Sequence, residues 1–140
     1  MSDVVTVTLP VLWGDMDALG HVNNVRYFQW FEQARIALFE RVRLVHTGAP
    51  TIGPILATTR CDFLAPVTYP DEVAVRAWVE RLGRTSFVLA YEVARTSAPG
   101  ESVARGDSVV VLFDYAEGKK VPIPAELRGR LEALQRRGDG

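Results

Sequence analysis

The sequence predicts an α+β fold, a single antiparallel sheet of about five strands wrapped around one long helix, with a short helix near the C-terminus. Three observations predict it. No Gly or Pro interrupts residues 25–44, and apolar residues recur there at spacings of three and four. From residue 55 to residue 115 the pattern changes to an alternation of period two. The connections between these later segments are too short for parallel crossovers, which need a dozen or more residues, so neighbouring strands are antiparallel.

The elements follow in order. Residues 4–12 are rich in β-branched side chains and form a first strand that ends as it runs into Gly14. A polar loop leads to the long helix, with Asn23 or Asn24 as its N-cap. Tyr27, Phe31, Ala34, Leu38 and Val42 mark the face turned to the core. Phe28, Trp30, Ile36, Ala37 and Phe39 widen that face, so the helix is expected to be largely enclosed. After the break at 48–54 come strands at 55–64, 72–81, 86–96 and 103–115. Val73, Val75, Ala77 and Val79 alternate with polar neighbours, as in a strand with one buried face. Gly83 marks a hairpin and Ala98-Pro99-Gly100 a second turn. Pro124 opens the last helix, with Leu127, Leu131 and Leu134 inward and Arg128, Arg130, Arg136 and Arg137 expected in water.

Bulk properties narrow the function. A chain of 140 residues that is 48% hydrophobic suits one domain spanning 1–140. Lys and Arg number 16 against 17 Asp and Glu, which leaves no broad field to attract nucleic acid or an anionic membrane. No segment approaches the roughly 18 continuous apolar residues of a membrane span, and no positive n-region precedes an apolar stretch, so a cytoplasmic location is expected. Cys61 is the single cysteine and reads as a small core residue in a strand, and His46 as an ordinary loop residue. One Cys and two His, without metal-ligand spacing, argue against a zinc site. A sheet of this kind also leaves edge strands whose unpaired backbone groups a second copy can satisfy, so a homodimer is expected.

Chemistry gathers between Trp13 and Tyr27. Asp15, Asp17, His21, Asn23 and Asn24 precede the N-terminus of the long helix, whose free N–H groups and positive dipole end attract developing negative charge. Acyl transfer needs this combination: a base or nucleophile for a carbonyl carbon, and donors where the oxyanion forms. Gly14 and Gly20 read as suppliers of backbone conformations closed to other residues. Asp15 reads as an acceptor holding the loop in shape, and His21 as either a structural hydrogen-bonding group or a substrate contact.

The pattern Gly14-Asp15-x-Asp17-x-x-Gly20-His21-Val22-Asn23-Asn24-x-x-Tyr27 resembles the signature of hotdog-fold acyl-CoA thioesterases of the 4-hydroxybenzoyl-CoA thioesterase type. The similarity continues through Asp62-Phe63-Leu64-x-Pro66-Val67, Asp71-Glu72-Val73, Arg84-Thr85-Ser86-Phe87 and Val121-Pro122-Ile123-Pro124. The resemblance implies the sheet-around-helix fold and places the catalytic carboxylate, as nucleophile or general base, on Asp17. It places the oxyanion donor on the backbone N–H of Asn24 and contacts to coenzyme A on Arg84 and Ser86. It implies an acyl-CoA substrate, or an acyl-carrier-protein thioester, with no metal or redox cofactor, and a homodimer or a tetramer of paired dimers. Some members carry an aromatic pair where this chain has Asn23 and Asn24; the His-Val-Asn-Asn form looks more like the broad acyl-CoA hydrolases. Two further readings stand beside hydrolysis: a non-catalytic acyl-binding module on the same scaffold, and a hotdog dehydratase, which needs a His–acid pair in another arrangement.

Overall fold

The computed structural model describes residues 3–44 and 51–136. His46 and Arg137 lie outside them. Strand β1 (Val5–Val11) leads into the loop and then helix α1 (Asn24–Arg41). Strands β2 (Ile52–Phe63), β3 (Asp71–Leu82), β4 (Ser86–Arg95) and β5 (Ser102–Asp114) follow, then a two-residue strand β6 (Lys119–Lys120) and helix α2 (Ala125–Glu132). The strands lie in the order β1-β3-β4-β5-β2, with β6 added beside β5. Every strand pairing is antiparallel. This is the sheet around one helix expected from the period change, and the hotdog arrangement that the resemblance implies, with β1 and β2 at the edges.

Alternation decides which face of the sheet meets α1. Val73, Val75, Ala77 and Val79 of β3, and Phe87, Leu89, Tyr91 and Val93 of β4, are all buried. Tyr27, Phe31, Ala34, Leu38 and Val42 are buried opposite them, as the helical periodicity predicts. Burying a side chain such as Phe31 in full contributes about 1.5–3 kcal/mol relative to leaving it in water. The Phe31 ring stacks on Tyr91 with centroids 4.4 Å apart. That approach requires Gly106 in β5, because a Cβ there would stand 2.5 Å from the Phe31 ring and collide with the Arg60 carbonyl of β2.

Three expectations need correction. Helix α1 is not enclosed all round: Ile36 is 45% and Val25 62% exposed, since the one-layer sheet covers a single side. The α2 arginines do not simply face water. Arg128 donates to the Gly83 carbonyl at 2.6 Å, Arg130 donates to the Val42 carbonyl at 2.6 Å, and Arg136 lies over the Trp78 ring at 4.9 Å. The long stems of Arg128 and Arg130 reach carbonyls at the hairpin and just past α1, so α2 ties the β3–β4 hairpin to the end of α1. Cys61 is in a strand, as expected, but only half-buried.

Candidate active site

Beyond Val11 the chain makes one turn of 3-10 helix at Trp13–Asp15 and then folds back on itself. Asp15 drives this. Its carboxylate is buried, accepts the Leu12 N–H at 2.8 Å and lies 3.5 Å from Arg26 Nε of α1. Its carbonyl accepts the Asn23 N–H at 2.9 Å. One residue thus fastens both ends of the loop, which makes it the shape-holding acceptor expected. The Val22 N–H donates to the Val67 carbonyl at 2.8 Å, docking the loop on the β2–β3 connection.

Inside this frame Asp17 is exposed, and it closes a short turn. Oδ1 accepts the Leu19 N–H at 2.9 Å, and Oδ2 lies 3.4 Å from Asn23 Nδ2. The Asp17 N–H donates to the His21 carbonyl, and its own carbonyl accepts the Gly20 N–H, both at 3.0 Å. Gly20 is needed here because its φ of 81° lies in the left-handed region. Gly14 shows no such conformation, so its expected special role is not realised. The His21 carbonyl holds the loop, whereas its exposed imidazole has no hydrogen bond among the described residues.

The helix start completes the geometry. Asn23 is the N-cap: its side chain accepts the Val25 N–H at 2.9 Å and its carbonyl accepts the Arg26 N–H at 2.9 Å. Between them the Asn24 N–H has no partner among the described residues, and it sits at the positive end of α1. An exposed carboxylate and a free N–H donor at a helix N-terminus are therefore set one loop apart. This pair can place a nucleophile or base on one side of a carbonyl and an oxyanion donor on the other.

Arg84 and Ser86 are elsewhere. They belong to the β3–β4 hairpin, where the Gly83 N–H donates to the Ser86 carbonyl at 2.7 Å and the Ile123 N–H to the Arg84 carbonyl at 2.9 Å. Asp71, at the other end of β3, pairs with Val11 just before the loop. The 12 residues of β3, at about 3.3 Å each, put Asp17 and Arg84 of one chain at opposite ends of the sheet.

Sequence reasoning passed over Arg35. It is 9% exposed, and Nη1 donates to the Tyr91 hydroxyl at 3.2 Å. It lines a cleft of about 200 Å³ between α1 and β2. The available signal was its helical spacing from Phe28 and Phe31, which puts it on the inward side. Phe28 also lines the cleft, whereas Tyr27 packs against Trp30 and Phe63, with centroids 4.8 and 5.0 Å away. Burial pushes up the Tyr27 and Tyr91 hydroxyl pKa values. Burial, with the nearby Asp62 charge, pushes the Cys61 thiol up to about 11. Among the described residues no cluster of His, Cys, Asp and Glu is placed to hold a metal ion, and no helix is long and apolar enough to cross a membrane.

Comparison with known proteins agrees with this fold. The chain is 25% identical over 138 residues to the 4-hydroxybenzoyl-CoA thioesterase of Pseudomonas sp. (strain CBS-3), covering 90% of this chain and 96% of that one. It is 28% identical over 128 residues to the 1,4-dihydroxy-2-naphthoyl-CoA hydrolase of Synechococcus sp. (strain RCC307), covering 86% and 95%. A thioesterase from Thermus thermophilus, solved with coenzyme A and Zn, superposes with a TM-score of 0.80 at 33% identity, covering 98% of this chain and 97% of that one. Residues 11–131, from the end of β1 to α2, match the model of the thioesterase-like superfamily, and the chain belongs to that family.

Proposed function

We propose that this enzyme hydrolyses acyl-CoA thioesters to a carboxylic acid and coenzyme A. The observation that supports this most directly is the exposed Asp17 carboxylate one loop away from the Asn24 N–H, which has no partner among the described residues at the start of α1. The thioester carbonyl oxygen points at that N–H. Asp17 either attacks the carbonyl carbon, giving a mixed anhydride that water then cleaves, or takes a proton from the attacking water. In both routes the C–S bond breaks and the thiolate leaves with a proton from solvent. Charge on the oxyanion forms at the positive end of the helix, where one donor is worth about 10² to 10³ in rate. His21 stands at the mouth of the loop as a substrate contact.

The enzyme acts as a homodimer. Strand β2 ends the sheet, and a second copy can pair with its outer edge. Arg84 and Ser86, too distant from Asp17 in their own chain, then serve the partner's site, where the guanidinium meets a phosphate of coenzyme A.

A panel of acyl-CoAs varying in length and branching, followed by thiol release, tests this reading. Hydrolysis is expected from the purified protein without added metal, with kcat lowered at least about a hundredfold by Asp17→Asn, near 2.7 kcal/mol of barrier. Saturable acyl-CoA binding with no thiol released from any member would instead identify a binding module. Full activity in Asp17→Asn would remove the carboxylate from the mechanism.

A further inference from the structure

The cleft between α1 and β2 is lined along α1 by Val25, Phe28, Glu32 and Arg35, one stripe of the helix, and along β2 by Leu56 and Thr59. Its near end is apolar and begins at Val25, next to the Asn24 N–H. Its far end is polar. There Arg35 is buried with loose charge compensation: the nearest carboxylate oxygen, of Glu32, is 4.0 Å from Nη2, beyond hydrogen-bond range, on a side chain 57% exposed.

A chain of hydroxyls fixes what this far end can accept. Arg35 has only donors, so the Tyr91 hydroxyl, 3.2 Å away, must accept from it. The single Tyr91 proton then goes to Ser108 Oγ at 3.0 Å, and the Ser108 proton to Thr59 Oγ1 at 3.1 Å. Thr59 is left with its own proton to donate, on the cleft wall. Both the guanidinium and the last hydroxyl of the relay therefore present donors, and a buried cation with spare N–H groups favours an anionic oxygen acceptor.

We propose that this cleft is the distal acyl subsite, in which Arg35 and Thr59 select acyl groups that end in an oxygen acceptor, above all a carboxylate. The inference rests on the thioesterase reading of Asp17 and Asn24. Its length follows from the helix: Asn24 to Glu32 rises about 12 Å, and the Arg35 side chain leans back toward that level. An extended alkyl chain advances about 1.25 Å per carbon with bonds of ~1.5 Å, so a chain of roughly eight to ten carbons reaches from the oxyanion site to the guanidinium. Phe28, Val25 and Leu56 line the path of its methylenes, and the relay through Tyr91 and Ser108 positions Arg35 and orients the Thr59 proton.

The test compares octanoyl-CoA with the mono-CoA thioester of octanedioic acid. The wild-type enzyme is expected to show a kcat/KM at least about tenfold higher for the octanedioyl thioester, a factor within reach of one charge-assisted hydrogen bond. Thr59→Val should bring the ratio of the two kcat/KM values down, and Arg35→Met should bring it close to one. Because Arg35→Met removes a buried group and can fail to fold, Glu32→Gln at an exposed position gives an independent reading. It removes the competing carboxylate and should raise the ratio. Equal or better hydrolysis of octanoyl-CoA by the wild type overturns the subsite while leaving the thioesterase reading intact. A wild-type preference that Thr59→Val and Glu32→Gln both leave unchanged also overturns it. Thiol release from neither substrate overturns both readings.

Discussion

Asp15 and Asp17 are two residues apart and do opposite work, and substitution should separate them. Asp17 is exposed, and an Asn side chain keeps the oxygen that accepts the Leu19 N–H, so Asp17→Asn should lose kcat while its urea midpoint stays near that of the wild type. Asp15→Ala should do the reverse first. It leaves the Leu12 N–H without its acceptor, a loss of about 1–3 kcal/mol measurable by urea denaturation, with KM rising as the loop loosens. Cys61 makes a third prediction at this scale. Burial and the Asp62 charge raise its thiol from the usual 9.0 to about 11, so the folded state prefers the protonated form. Its contribution to stability is complete below pH 9 and is lost as pH rises through about 11. Alkylation of the folded protein should accelerate only as pH nears 11, whereas the urea-unfolded chain should react two units lower, and Cys61→Ala should flatten the alkaline fall in urea midpoint between those values. Glu92 marks the acid side. Burial works to raise its pKa, but hydrogen bonds from Ser102 and Arg76 and the charges of Arg76 and Arg105 outweigh burial and hold it low, so that support is lost as pH falls.

At the scale of elements, the spacing between α1 and the sheet depends on one missing side chain. Gly106 lets the Phe31 ring lie flat on Tyr91 and lets β5 run close beside β2. Gly106→Ala must push Phe31 aside and meet the Arg60 carbonyl, which is backbone and yields little. A loss of at least about 1–3 kcal/mol is expected, read as a lower urea midpoint together with a changed near-ultraviolet circular dichroism from the disturbed ring pair. The pattern of alternation identified β5 as a strand, but it carried no sign that one of its positions admits only hydrogen. Helix α2 teaches the same lesson. Its leucines were legible from their spacing, whereas the role of Arg128 and Arg130 as ties to the Gly83 and Val42 carbonyls depends on what lies opposite them.

For the whole molecule, the separation of Asp17 from Arg84 by the length of β3 makes the quaternary prediction specific. Asp17→Asn and Arg84→Ala, each impaired alone, should regain activity when the two proteins are unfolded together and refolded as a mixture. A mixed dimer joins an intact Asp17 from one copy to an intact Arg84 from the other. Light scattering should give twice the 15.5 kDa chain mass. Activity in the mixture no greater than the average of the two variants would show that the residues do not share a site across copies.

The order of elements, the core faces of α1 and β3, and the loop from Trp13 to Tyr27 were all legible in the sequence, because each rests on local chemistry: period, capping and turn residues, and a dense polar motif. The motif also carried the resemblance that the family match bears out. Tertiary structure decided what depends on partners distant in the chain. It separated the two aspartates into one buried fastener and one exposed carboxylate. It gave Asn23 the cap and left the Asn24 N–H without a partner among the described residues. It buried Arg35 under a relay that draws Tyr91, Ser108 and Thr59 from three strands, and it set Arg84 at the far end of the sheet. Periodicity reports which way a side chain faces. Only the packed chain decides what it meets there, because hydrogen-bond partners and burial are properties of neighbours in space.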